Sequence, residues 1–180
     1  KQYLSRPDLN GIISEFKRKS PSKGFINPYA DVEETTIGYM QAGASALSVL
    51  TDNKYFGGEN EDVITARKFN YCPILRKDFI VDEYQVYETK SIGADVMLLI
   101  AAVLEPQKLK ALAKLAKQVG LEVLLEIRDR EELDASFCDE IDVVGVNNRD
   151  LKTFEVSLDQ SIQLSDFIPN TVKKISESGI

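Results

Sequence analysis

The stretch GIISEFKRKSPSKG, residues 11–24, starts apolar, gains Glu15 and Lys17, and runs into a Ser/Pro/Gly turn. That order reads as a strand over 11–17 that delivers charge to a functional end. Period two sets Glu15 and Lys17 side by side on one strand face. A buried charge is costly without a partner, so the two either neutralise each other as an ordinary rim pair or await a charged ligand. The same choice recurs along the chain, because polar side chains keep reappearing where apolar strands end.

Working outward, Asp31 is placed to cap a helix over 32–42 that Gly43 stops, ahead of a small, apolar strand at 45–50. Residues 51–58 read as a loop whose Tyr55 and Phe56 either pack on the rim or stack on a flat ligand. A helix over 60–69 precedes a strand at 73–78, where Leu75 and Lys77 share a face and Arg76 points the other way. A helix at 83–92 stops at Gly93. The strongest buried-strand signal runs over 95–103. A helix at 105–119 follows, with Pro106 near its first position and Leu109, Leu112, Ala113 and Ala116 in one stripe. A strand at 121–127 places Glu122, Leu124 and Glu126 on one face. A short helix at 129–135, a strand at 140–146 running into Asn147 and Arg149, a helix at 157–167 and a strand at 171–176 running into Glu177 and Ser178 complete the pattern.

About seven such alternations make an α/β fold with a parallel sheet, expected to be one domain over residues 1–180. Glu15, Lys17, Lys77, Glu126, Asn147, Arg149, Glu177 and Ser178 all fall at or just past C-terminal strand ends. Several strands feeding one mouth is the mark of a (β/α)8 TIM barrel. A dinucleotide-binding open sheet would carry an early glycine fingerprint, and neither GxGxxG nor a Walker pattern is present. Glu177 and Ser178 have opposite parity, so both face inward only if the strand ends between them. The sequence stops as the seventh strand finishes, so the barrel is expected to be incomplete, without its eighth strand.

Composition limits the partners. With 180 residues, 43% hydrophobic and 28% charged, the chain suits a soluble globular protein, and a net charge of -7 argues against generic binding to nucleic acid or acidic membrane. No secretory leader or membrane-length apolar run is visible, and Cys72 and Cys138 match no ligand spacing. Reduced thiols in the cytoplasm are expected. Histidine is absent, which leaves proton transfer to Lys, Glu or Asp with shifted pKa values.

The motifs EFKRKSPSKG at 15–24, LTDNKYFGG at 50–58, ILRKDF at 74–79, LLEI at 124–127, GVNNRDL at 145–151 and SESGI at 176–180, in this order, resemble indole-3-glycerol phosphate synthase. The resemblance implies a carboxy-lyase that closes an indole ring on 1-(2-carboxyphenylamino)-1-deoxyribulose 5-phosphate. By it, Lys77 is the general acid, Glu126 the general base, and Lys17 the cation facing the substrate carboxylate. Glu15 and Asn147 orient the reacting chain. Arg149, Glu177 and Ser178 complete the polar rim, Ser20 and Ser22 lie near the phosphate, and Phe56 and Phe79 wall the anthranilate ring. It implies no metal and no organic cofactor, a small anionic phosphorylated substrate, and a monomer, with fusion to another pathway enzyme left open. The family's helical extension before the first strand and its eighth strand are both missing from this sequence, so a fragment truncated at both ends is expected. Against the enzyme stand a catalytically incompetent anion-binding or structural fragment and, less favoured by this Lys/Glu/Asn set, a sugar-phosphate isomerase.

Overall fold

Short apolar runs form the strands and capped polar-apolar stretches form the helices. In chain order they are β1 (Ile13–Phe16), β2 (Lys19–Ser20), β3 (Gly24–Phe25), α1 (Val32–Gln41), β4 (Ala46–Leu50), α2 (Asn53–Phe56), α3 (Asn60–Phe69), β5 (Ile74–Lys77), α4 (Glu83–Ser91), β6 (Val96–Ile100), α5 (Pro106–Gln118), β7 (Glu122–Ile127), α6 (Arg130–Ser136), β8 (Val143–Asn147), α7 (Asp159–Ser165) and β9 (Lys173–Glu177). The computed structural model describes residues 1–150, 153 and 155–180. Leu151, which ends the GVNNRDL motif, lies outside the described residues. The seven strands other than β2 and β3 alternate with helices, the pattern of an incomplete (β/α)8 barrel.

The chain divides into two compact units, Lys1–Asp78 with Tyr87–Met97, and Phe79–Val86 with Leu98–Ile180. In the first, β1, β4, β5 and the start of β6 are parallel neighbours in that order. Strands adjacent in sequence are adjacent in the sheet, as βαβ crossovers require. The register makes Glu15 the partner of Ser48, and Leu50 the partner of Lys77, so all four side chains share one sheet face. The core beneath them packs Phe16, Leu47, Val49, Val63, Ala66, Ile74 and Ile92. Asp31 caps α1 by accepting from Glu34 N–H at 2.8 Å, and Glu59 with Asp62 forms a capping box on α3.

In the second unit, β7 pairs with β8 and β8 with β9, again in parallel. Glu126 partners Gly145, and Asn147 partners Glu177, which sets the three polar side chains on one face. Leu109, Leu112, Ala113 and Ala116 of α5 are all buried, as their stripe predicts. Each buried leucine contributes roughly 1.5–3 kcal/mol.

Three local readings change. Residues 51–58 hold a helix, α2, as well as loop: Asp52 accepts from Tyr55 N–H at 2.6 Å and Gly57 closes the turn at φ 68°. The turn at Ser20–Gly24 is the tip of the antiparallel pair β2–β3. β6 ends at Ile100 rather than Val103, because Val103 N–H turns back onto the Ile100 carbonyl at 3.1 Å and its side chain is exposed. Hydrophobicity alone does not mark that exit from the sheet.

Candidate active site

Each unit carries its own cluster at the C-terminal ends of its strands. In the first, Lys17 donates to Glu15 Oε1, Lys77 Nζ lies 3.7 Å from Glu15 Oε2, and Ser48 Oγ donates to the same oxygen at 3.5 Å. Glu15 is thus held by two lysines, Lys17 just past the end of β1 and Lys77 at the end of β5, with β4 between the two strands. Burial pushes its carboxyl up, but the positive charges of Lys77 and Lys17 and the hydrogen bonds from Lys17 and Ser48 outweigh it, leaving the group below its usual pKa. The pairing expected from strand parity is real, and Lys77 joins it from two strands away. The arrangement presents two ammonium groups on one carboxylate, a site fitted to a negatively charged ligand or to proton donation.

In the second unit, Glu126 is 6% exposed, nearly buried at the end of β7. Asn147 Nδ2 donates to Glu126 Oε1 at 2.8 Å, and Ser178 Oγ donates to Asn147 Oδ1 at 2.9 Å. Arg149 N–H also donates to Asn147 Oδ1, at 3.0 Å, which fixes the amide with its nitrogen towards Glu126. β9 ends at Glu177, and Ser178 adopts φ 67°, the one non-glycine residue with positive φ among the described residues. The change of backbone region after Glu177 breaks the strand's alternation and lets the Ser178 hydroxyl reach Asn147. The Glu177 carboxylate lies over Gly145, where an added Cβ would come within 2.1 Å of Oε1.

The remaining candidates are placed more loosely. Ser20 Oγ and Ser22 Oγ lie 3.5 Å apart on the exposed β2–β3 tip. Phe56 ends α2, half-buried, with its carbonyl accepting from Arg18 N–H at 3.3 Å. Phe79 begins the second unit, 36% exposed, and its carbonyl accepts from Gln85 Nε2 at 2.9 Å.

Several supporting residues escape a reading by strand ends. Ser48, one polar residue in a strand otherwise apolar, is a visible signal in hindsight of parity. Arg18 forms a two-pronged pair with Asp62 at 2.6 and 2.8 Å and also donates to the Gly57 and Ala30 carbonyls, tying the end of β1 to the start of α3. Arg76, 3% exposed, donates to Thr51, Thr89, Asp78 and Glu88 on the face opposite Lys77. No sequence signal marks which acid or hydroxyl these arginines choose.

Parallel strands whose C-terminal ends carry paired lysines, an ion-paired carboxylate and a buried, amide-bound carboxylate define a (β/α)-barrel enzyme. Residues 2–180 match the family model described as indole-3-glycerol phosphate synthase, and the chain belongs to that family, one of carboxy-lyases. It is 51% identical to an indole-3-glycerol phosphate synthase of Bacteroides thetaiotaomicron over all of this chain and 68% of the relative. It is 47% identical to one of Caldanaerobacter subterraneus subsp. tengcongensis over 94% of this chain and 66% of the relative. The chain therefore spans about two thirds of the length of these curated relatives. Among solved structures it is similar in fold to 3-keto-L-gulonate-6-phosphate decarboxylase from Vibrio cholerae, with a TM-score of 0.55, 15% identity, and coverage of 74% of this chain and 66% of that one.

Proposed function

We propose that residues 1–180 belong to a single barrel domain of a cytoplasmic, monomeric enzyme of tryptophan biosynthesis. Its reaction converts 1-(2-carboxyphenylamino)-1-deoxyribulose 5-phosphate to indole-3-glycerol phosphate. The ring carbon bearing the carboxylate bonds to the ribulose carbonyl carbon, whose oxygen is protonated. The carboxylate leaves as carbon dioxide, and its bonding pair restores the aromatic ring. The new hydroxyl then departs as water, and loss of a proton from the adjacent chain carbon completes the indole. Electrons balance without an external oxidant, so the reaction calls for no redox cofactor.

Lys77 donates the proton that carries off the hydroxyl, and Glu126 removes the chain proton. Lys17 faces the substrate carboxylate, Glu15 and Asn147 orient the ribulose chain, and Arg149, Glu177 and Ser178 line its rim. Ser20 and Ser22 serve the phosphate, and Phe56 and Phe79 flank the aromatic ring. The observation that carries this reading is the Ser178–Asn147–Glu126 chain of hydrogen bonds: an almost fully buried carboxylate oriented by an amide at a strand's C-terminal end is how a general base is built. Incubating the full-length protein with the carboxyphenylamino ribulose phosphate should yield indole-3-glycerol phosphate. No product above the uncatalysed background would overturn the proposal and favour an anion-binding or structural role.

A further inference from the structure

Beside Asn147 stands a second asparagine that the proposed chemistry does not use. Asn148 is 1% exposed, and every polar atom of its side chain is engaged. Its Nδ2 donates to Ser176 Oγ at 2.8 Å, to the Glu177 carbonyl at 2.9 Å and to the Ser178 carbonyl at 3.2 Å. Its Oδ1 accepts from Ser161 Oγ at 2.7 Å and from Ser161 N–H at 3.2 Å, and Ser161 Oγ in turn lies 2.7 Å from Ser176 Oγ. Its own N–H donates to the Glu177 carbonyl at 2.9 Å. One side chain thus grips the end of β9 on three consecutive residues and is itself held by α7.

The grip falls where the backbone is least comfortable. A left-handed conformation costs a non-glycine residue on the order of 1–2 kcal/mol, so surrounding contacts must impose it on Ser178. The Asn148 amide binds the carbonyls on both sides of that bend, and the bend is what brings Ser178 Oγ to Asn147. We propose that Asn148 is a positioning residue: by holding Ser178 in its left-handed turn it keeps Asn147 aimed at Glu126, without touching substrate itself. The inference rests on Glu126 being the general base.

A hydrogen bond to a carboxylate favours its charged form, so slackening Asn147 should make Glu126 harder to ionise. The other titratable side chains on this face of β7–β9 are Glu177 at the same end and Glu122 and Lys173 at the opposite strand ends, with Arg149 just past β8. In the full-length enzyme, N148A should lower kcat by about tenfold with KM changed less than about threefold. It should also move the acid limb of the kcat–pH profile upward by about one unit. N148D keeps the size and the acceptors but loses the donors, and it should behave like N148A. Repeating the profile in an E177Q background keeps Glu177's own titration out of it. A merely structural asparagine would lower the thermal midpoint and leave the acid limb in place, and a folded N148A with an unmoved limb overturns the proposal. If N148A does not fold, S161A/S176A weakens the same grip from outside, and an unmoved limb there overturns it equally. E126Q run alongside separates the two readings: full turnover in E126Q removes the general base, whereas an inactive E126Q with an unshifted N148A removes only the positioning role.

Discussion

Replacing Gly145 by alanine tests whether the Glu177 carboxylate has chemical work to do. The new Cβ would lie 2.1 Å from Glu177 Oε1, 3.1 Å from its Cδ and 3.4 Å from Ile175 Cγ1. Ordinary contact begins near 3.4 Å, so the carboxylate must retreat by about 1.3 Å. Because the obstructing atoms are the free end of a flexible side chain, the stability cost stays near the low end of overpacking, about 1 kcal/mol. For a domain of this size that is a fall in Tm of about 2–4 °C. A misplacement of about 1 Å near reacting groups costs up to ~10²-fold in rate, so kcat/KM should fall by about 10- to 100-fold. Gly58 is the control: a Cβ there meets the Leu50 carbonyl oxygen at 2.0 Å and its carbon at 2.6 Å, backbone that cannot step aside. G58A should therefore cost about 3 kcal/mol or more in stability. Thermal melts by circular dichroism and turnover of the full-length enzyme read both effects, and E177Q removes the charge without a clash. A folded G145A whose kcat/KM stays within about twofold of the unsubstituted enzyme would refute the argument that Glu177's position matters.

K77A and E126Q should each lower kcat by about 10²- to 10⁴-fold with the circular dichroism spectrum unchanged, and near-normal turnover in either variant would strike out its assigned role. Glu15 ionises more readily folded than unfolded, so it contributes stability above its ordinary pKa of 4.5 that is lost as pH falls through its lower folded value. The stability advantage of the unsubstituted protein over E15Q should shrink across that acid range in urea titrations, and an advantage that grows with acidity would contradict the ion-pair assignment. S178G relieves the left-handed strain and removes the hydroxyl, so it should leave stability equal or raised by up to ~1 kcal/mol while turnover falls. Unchanged kcat in S178G would show that the Ser178–Asn147 hydrogen bond does not matter to the reaction.

Much of the architecture was legible because its causes are local. Alternation of apolar runs with capped amphipathic stretches marks strands and helices, and period two pairs Glu15 with Lys17 and opposes Arg76 to Lys77. Polar residues at the ends of apolar strands mark where the strands of each unit stop. The short helix α2 was not legible, since one aspartate cap and a left-handed glycine in a polar loop resemble any turn.

What tertiary structure decided is which of these groups meet. Strand parity states which face a side chain takes but carries no information on register, and register is what makes Ser48 the neighbour of Glu15 and brings Lys77 to the same carboxylate. Register turns Glu177 to the face of Asn147, whereas the reach of Ser178 to the same amide goes with one left-handed dihedral angle after β9, at a residue whose carbonyl Asn148 holds from 30 residues away in sequence. The sequence by itself determined the inventory of lysines, carboxylates and amides and the strand ends that carry them, because hydrophobic period acts between near neighbours. Their hydrogen bonds were decided only by the folded sheet, because a bond of about 3 Å depends on strand register and backbone angles that no local pattern encodes.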